Sequence, residues 1–189
     1  MNTDLLVYQA KSFYNAYIAL EQLSRADAEL ERLYFIPRIV NGAFSIELTL
    51  KAILAKNQIE YGKEHNLYLL FQMLPESFKQ EIVASLIKNA PEYSDSQKRL
   101  DELILLSNAF VDWRYAFEGK PTPAVDFRFL FIFANAAICA MFSQYNADLI
   151  PRAKVEMDDE IEQKICANRE KCKAANLRMI QKKNKEHRE

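Results

Sequence analysis

Residues 37–56 read "PRIVNGAFSIELTLKAILAK", and this stretch decides the fold. Its apolar residues recur at spacings of three and four, which is the period of one face of a helix. One set of these apolar residues is Val40, Phe44 and Leu48. A second set, on the adjoining side of the helix, is Ile46, Leu50, Ile53 and Leu54. Because proline suits the first turn of a helix, we predict that this helix begins at Pro37 and ends near Lys56.

The composition extends this prediction to the whole chain. The 189 residues include only 3 Gly and 6 Pro, too few for the many tight turns of a sandwich or barrel. Long helices joined by few loops need fewer turn-forming residues. We therefore expect an all-α fold, with the other helices at residues 3–24, 67–74, 75–90, 96–118 and 124–146, and a loop around Gly62 at residues 56–66.

Pro151 marks a predicted domain boundary, because the composition becomes strongly charged after it. Residues 1–150 form the predicted bundle, and residues 151–189 form a charged C-terminal helical extension. A thin apolar stripe of Ile161, Ile165, Cys172 and Met179 runs along this extension. The stripe is compatible with docking on the core, pairing with a partner helix, or fraying.

Charge, cysteine and hydropathy patterns limit the class of protein. The net charge of −1 excludes a generally basic nucleic-acid-binding surface, so any such contact has to be local. Three cysteines fit a reducing compartment, and we see no signal peptide, so we predict a cytoplasmic protein. The most apolar stretch, residues 129–142, is shorter than the roughly 20 residues of a membrane span. We expect a buried core helix there and no membrane association.

Glu47 and Lys51 lie four residues apart within the opening stretch. The acid precedes the base, which is the favourable order for an ion pair on a helix surface. One interpretation is a solvated pair. The other is an inward-facing pair in a polar pocket, since nearly every neighbouring side chain is apolar and buried charges need partners.

His65 has two interpretations. Its imidazole titrates near neutrality and could act as a general acid or base. Alternatively, His65 and Asn66 cap the short apolar helix that follows. A metal site is not expected, because one histidine with cysteines 74 residues or more away is not a ligand set, so we predict no metal and no cofactor.

The stretch "FVDWRYAFEG", residues 110–119, combines aromatic and charged side chains. Arg114 offers a planar fork for phosphate or carboxylate and can pair with Glu118 four residues later. Trp113 and Tyr115 could stack on a base. The alternative is an aromatic lock that closes one end of a bundle, with Arg114 neutralised by a glutamate.

Taken in order, "SIELTLKAIL", "GKEHNLYLLFQMLP" and "FVDWRYAFEG" resemble the HEPN superfamily (higher eukaryotes and prokaryotes nucleotide-binding) over residues 3–146. The resemblance implies an up-and-down bundle of about five to six helices and frequent homodimers. It also implies roles in RNA cleavage, in toxin–antitoxin pairs with a cognate small protein, and in phage defence.

The chain departs from the family's ribonuclease motif, in which a histidine follows an arginine after four to six residues. After Arg114, those places hold Gly119, Lys120 and Pro121. We therefore expect a non-catalytic module that binds RNA, a nucleotide or a partner protein. Its binding residues would be Glu47, Lys51, Trp113, Tyr115 and Glu118. One alternative is a divergent metal-independent endoribonuclease that uses His65 and Arg114, and another is a structural or oligomerisation protein.

Overall fold

The fold of the protein, taken from a computed structural model, is all-α over the part that it describes: residues 2–26, 28–115, 118 and 124–144. These residues contain seven α-helices, one 3₁₀ turn and no strand. The helices are α1 (Thr3–Ala26), α2 (Ala28–Lys56), α3 (Leu67–Met73), α4 (Glu76–Asn89), α5 (Ser96–Leu106), α6 (Ala109–Arg114) and α7 (Phe127–Gln144), and the 3₁₀ turn is Pro91–Tyr93. The predicted all-α class is confirmed.

Helix α2 is longer than the sequence suggested. It begins at Ala28, so Pro37 lies inside the helix, and the predicted start at Pro37 was wrong. Proline has no N–H group and removes one helical hydrogen bond. The Asn41 side chain donates to the Pro37 carbonyl oxygen at 2.7 Å. Helix α2 nevertheless continues through Pro37.

The prediction of one helix over residues 96–118 was wrong, because the structure has two helices there, α5 and α6. The break lies at Ser107 and Asn108. The Ser107 hydroxyl donates to the Leu103 carbonyl oxygen, and the Ser107 carbonyl oxygen accepts from the Leu67 N–H at 2.9 Å. A tertiary hydrogen bond therefore replaces the next helical one at this point.

Helices α1, α2 and α7 form the centre of the bundle. Phe13 packs edge-on against Phe44, and Glu21 pairs with Arg38, so α1 and α2 run antiparallel. Helix α7 runs in the direction of α2, because Arg38 lies over Phe127 and Gly42 faces Leu130. A Cβ at Gly42 would lie 3.1 Å from both methyl groups of Leu130, so a larger residue there would require Leu130 to shift.

The loop between α2 and α3 contains two residues with left-handed backbone, Gln58 with a φ of +57° and Gly62. Gly62 has a φ of +56°, a left-handed conformation that glycine adopts without strain. The Asn66 side chain accepts from the Leu69 N–H at 3.0 Å and caps α3. The predicted cap is therefore confirmed for Asn66, whereas the His65 side chain has another partner.

Two predictions concern residues beyond this part of the chain. The boundary at residue 150 and the helical extension over residues 151–189 lie outside the described residues.

Within the described residues, no helix is both long and apolar enough to cross a membrane. The apolar stretch at residues 129–142 belongs to α7, where Leu130, Ala137 and Met141 are fully buried.

Candidate functional site

Glu47 and Lys51 form a buried ion pair in the second half of α2. The Lys51 Nζ atom lies 2.8 Å from Glu47 Oε1. The side chains are only 2% (Glu47) and 10% (Lys51) exposed, which excludes the solvated surface pair. Burial of two charges is costly unless they are paired, so each residue needs the other to remain in the fold.

His65 shares the same carboxylate oxygen. Its Nδ1 atom lies 2.8 Å from Glu47 Oε1, while its side chain remains 55% exposed. A carboxylate that accepts from Nδ1–H fixes the tautomer of the ring and leaves Nε2 as the free nitrogen. The second oxygen, Oε2, is buried and has no hydrogen-bond partner in the described structure. The group therefore combines a buried anion, a buried cation and a half-exposed imidazole.

Tyr61 completes this group from the loop. The Lys51 Nζ atom lies 5.5 Å from the centre of its ring, within the range of a cation–π interaction. Burial, and then the negative charge of Glu47, raise the pKa of the Tyr61 hydroxyl. Tyr61 therefore stays neutral and shields one side of the ion pair. We call Glu47, Lys51, Tyr61 and His65 the carboxylate cluster.

Helix α6 begins next to this cluster. The Asn66 side chain donates to the Asn108 side chain at 3.2 Å, beside the backbone bond from Leu67 to Ser107. Phe110 stacks on Phe44, one turn before Glu47, with ring centres 4.3 Å apart. The loop that carries His65 and the start of α6 are thereby held against the same part of α2.

Arg114 lies at the other end of α6. Its guanidinium lies 4.7 Å from the Phe110 ring centre and 4.6 Å from that of Tyr115, and it donates to the Tyr115 hydroxyl at 3.0 Å. Both Arg114 and Tyr115 are exposed. Packing of the flat guanidinium on rings orients a charged group that remains accessible. We call Phe110, Arg114 and Tyr115 the arginine–aromatic patch.

The other two predicted residues of this segment differ in environment. Trp113 is partly buried and packs edge-on against Phe35, at 5.4 Å between ring centres, and its indole N–H finds no partner among the described residues. It is therefore placed to pack and is not an exposed stacking surface. Glu118 is exposed, and its backbone N–H donates to the Tyr115 carbonyl oxygen.

The structure thus brings the predicted residues together as two adjacent groups. Helix α6 runs antiparallel to α2, because Phe110 meets Phe44 whereas Trp113 meets Phe35. His65 adjoins the start of α6 and Arg114 ends it, and in the described structure no hydrogen bond joins these two side chains. The Arg114 side chain extends back along α6, because its guanidinium lies over the ring of Phe110, the second residue of the helix.

Comparison with known proteins gives one match. A family model described as HEPN domain matches residues 15–123, which is more than half of the chain. The chain belongs to the HEPN domain family. The match includes both the carboxylate cluster and the arginine–aromatic patch of this HEPN domain. No curated protein and no solved structure was found to match the chain.

Sequence reasoning missed two residues of the HEPN domain's candidate site. Tyr61 and Phe110 were not singled out, although each lies within four residues of one that was. The signal for Phe110 was its position four residues before Arg114, since side chains at that spacing meet on a helix. Tyr61 lies in a loop, where sequence spacing does not determine which residues it meets.

Among the described residues, no group of three His, Cys, Asp or Glu side chains is arranged to hold a metal ion. The carboxylate cluster contributes one glutamate and one histidine, and its third polar group is an ammonium. A lysine so close would repel a cation. The chemistry that this cluster can perform is therefore hydrogen bonding, proton transfer and binding of an anion.

Proposed function

We propose that this HEPN domain is a non-catalytic binding module for RNA or a nucleotide, acting in an RNA-related, defence or toxin–antitoxin system. The observation that carries the proposal is the arginine–aromatic patch. It presents an exposed guanidinium supported by two rings. Arginine binds phosphate through its planar fork, and the exposed ring of Tyr115 is suited to stack on a base.

The carboxylate cluster extends the proposed binding surface. His65 is half exposed, and the loop that carries it is bonded to the residues that precede α6. The Arg114 guanidinium lies over Phe110, and the residue after His65 is bonded to Asn108, so both groups adjoin the start of α6. A ligand that runs along this surface suits an oligonucleotide, with the phosphate of one nucleotide on Arg114 and a neighbouring nucleotide near His65.

A second function is favoured by one specific contact. The bond from His65 Nδ1 to Glu47 Oε1 fixes the imidazole and leaves Nε2 available as a base. In a metal-independent endoribonuclease, Nε2 would take the proton of a 2′-hydroxyl. The 2′-oxygen would then attack the phosphorus, and the 5′-oxygen would leave with a proton from water. Arg114 would balance the charge that develops on the phosphate.

The structural alternative requires a fully paired network. Glu47 Oε2 has no hydrogen-bond partner in the described structure, and His65 is half exposed. Neither feature is needed for packing alone, so both favour a ligand-binding role for the cluster.

The experiment measures binding of a fluorescently labelled single-stranded RNA by anisotropy, with a cleavage assay in EDTA alongside. We expect Arg114→Gln to weaken binding about tenfold and to reduce the salt dependence by about one phosphate contact. The matched control is Arg32→Gln, an exposed arginine in the first half of α2. Equal loss in the two variants would refute the assignment of Arg114.

The cleavage assay separates the two functions. For a binding module, the wild-type protein leaves the RNA intact in EDTA, and His65→Asn weakens binding because it removes a contact of the proposed surface. Cleavage in EDTA that His65→Asn abolishes, with binding retained, would instead establish the endoribonuclease. If the wild-type protein bound neither RNA nor a nucleotide, both proposals would be refuted.

We propose that this HEPN domain is a cytoplasmic homodimer that also engages a cognate small protein, as the family resemblance implies. Exposed apolar side chains on α1, such as Leu5 at 52% and Tyr8 at 57%, are available for such contacts. Light scattering after gel filtration gives the mass of the particle. The mass of a single chain at high concentration would contradict the dimer.

A further inference from the structure

A second polar region lies on the side of α1 that faces α7, separate from the carboxylate cluster. Two cavities of about 570 and 400 Å³ occur there. Both are lined by Glu21, Arg25, Phe131 and Asn135, so they form one continuous groove. Each volume is within the range of pockets that enclose a small organic molecule.

Buried charge lies under this groove. The Glu21 carboxylate accepts from Arg25 through Oε1, and its Oε2 atom lies 2.7 Å from Arg38 Nη2. The Glu21 and Arg38 side chains are only 10% and 7% exposed. Two guanidiniums therefore share one carboxylate, and one positive charge is left over beside the groove.

The buried groups are also short of partners. Among the described residues, Arg38 Nε and the Tyr17 hydroxyl are buried without a hydrogen bond. The contact between Glu21 Oε2 and Arg38 Nη2 is short but has no hydrogen-bond alignment. Neither Arg38 nor Tyr17 is among the residues that line the two cavities, so Arg38 acts on the groove through its charge.

The walls of the groove supply further contacts. Arg25 is 69% exposed, and its guanidinium lies 5.9 Å from the Phe131 ring centre. The Asn135 oxygen accepts from the Tyr14 hydroxyl at 2.9 Å, which leaves the two N–H donors of the amide. Arg128 also lines the larger cavity, but Glu92 neutralises it at 2.8 Å. The groove thus offers one net positive charge, an amide donor and a flat aromatic face.

We propose that the groove between α1 and α7 binds a small organic monoanion that carries a carboxylate on a flat ring. The carboxylate pairs with Arg25 and the Asn135 amide, and the ring lies against Phe131. A carboxylate carries the single negative charge that matches the uncompensated positive one, whereas a phosphate monoester carries nearly two. The planar fork of arginine matches the planar carboxylate.

The test is calorimetric titration of the full chain with 2-naphthoate. Three comparison ligands separate the parts of the proposal: 2-naphthalenemethanol lacks the charge, acetate lacks the ring, and AMP replaces the carboxylate with a phosphate. We expect one naphthoate per chain, bound about tenfold or more tightly than each comparison ligand. Equal binding of the neutral alcohol, tighter binding of AMP, or no binding of naphthoate would overturn the proposal.

Variants locate the site. Arg25→Gln leaves Glu21 and Arg38 as a balanced pair, so we expect it to weaken naphthoate binding about tenfold. Asn135→Asp retains the acceptor for Tyr14 but places a negative charge in the groove, and we expect it to abolish binding. Arg32→Gln is the charge-matched control outside the lining and should bind as the wild type does. Wild-type affinity in either groove variant would contradict the assignment.

Discussion

Glu47 links the chemistry of the candidate site to the stability of the fold. It is buried and accepts from both Lys51 and His65 through one oxygen. Its sequence context, a charge in an apolar helix, was enough to raise the question of an inward-facing pair. The contact with His65 was not predictable, because 18 residues and a loop separate the two.

The dependence of Lys51 on Glu47 leads to a prediction about stability. Glu47→Ala leaves a buried ammonium without its partner, and we expect it to lower the free energy of unfolding by about 3–5 kcal/mol. The double variant Glu47→Met with Lys51→Met removes both charges and should restore most of that loss. Urea unfolding followed by circular dichroism measures both effects.

The control for this prediction is Glu60→Ala, which removes an exposed carboxylate from the loop after α2. It should change the unfolding free energy by less than about 0.5 kcal/mol. A double variant no more stable than Glu47→Ala would mean that the pair is not the source of the loss.

At the scale of helices, the sequence predicted which segments are helical better than it predicted where each helix begins and ends. Helix α2 passes through Pro37, and the single helix expected after residue 96 is two helices. Pro37 is a strong local signal that the surrounding helix overrides. Ser107 and Asn108 are weak local signals, and the break depends on the Ser107 carbonyl oxygen bonding to Leu67, some 40 residues away. Spacing along the chain carries no information about such a bond.

The cap of α3 gives the prediction at this scale. Asn66 accepts from the Leu69 N–H and donates to Asn108. We expect Asn66→Ala to lower the unfolding free energy by about 1 kcal/mol, the usual cost of a lost helix cap. Thermal unfolding measures the change.

Asn15→Ala makes the same substitution at an exposed interior position of α1. Because alanine has the higher helix propensity, this control should be neutral or slightly stabilising. Equal losses in the two variants would show that the Asn66 bond contributes nothing.

At the scale of the whole molecule, composition alone predicted the all-α class, since so few glycines and prolines cannot support a β architecture. Three ordered motifs added the family. Neither the composition nor the motifs predicted the groove between α1 and α7. It depends on Glu21, Arg38 and Asn135 meeting from three helices, and no local pattern distinguishes them from ordinary surface residues.

We expect the central helices α1, α2 and α7 to unfold as one cooperative unit. Leu130 is fully buried in α7 and packs against Gly42 of α2. We expect Leu130→Ala to lower the unfolding free energy by about 2–5 kcal/mol, through lost burial and the cavity that remains. Unfolding by urea should still be a single transition by circular dichroism and by Trp113 fluorescence.

Leu33→Ala is the control for this prediction, because Leu33 is 63% exposed on α2. Its effect should stay within about 0.5 kcal/mol. Two separate transitions in Leu130→Ala, one for each probe, would show that α6 and α7 do not unfold together with the rest of the bundle.

The late position of α7 has a consequence during synthesis. Helices α1 and α2 are neighbours in sequence and can pair as soon as Lys56 has left the ribosome. The side that they turn towards α7 stays uncovered until Gln144 follows. At the usual speed of translation, that interval lasts roughly 5–20 s. During that interval the nascent pair of helices α1 and α2 exposes an apolar strip. We expect chaperones that recognise apolar segments to bind the chain at this stage of its synthesis.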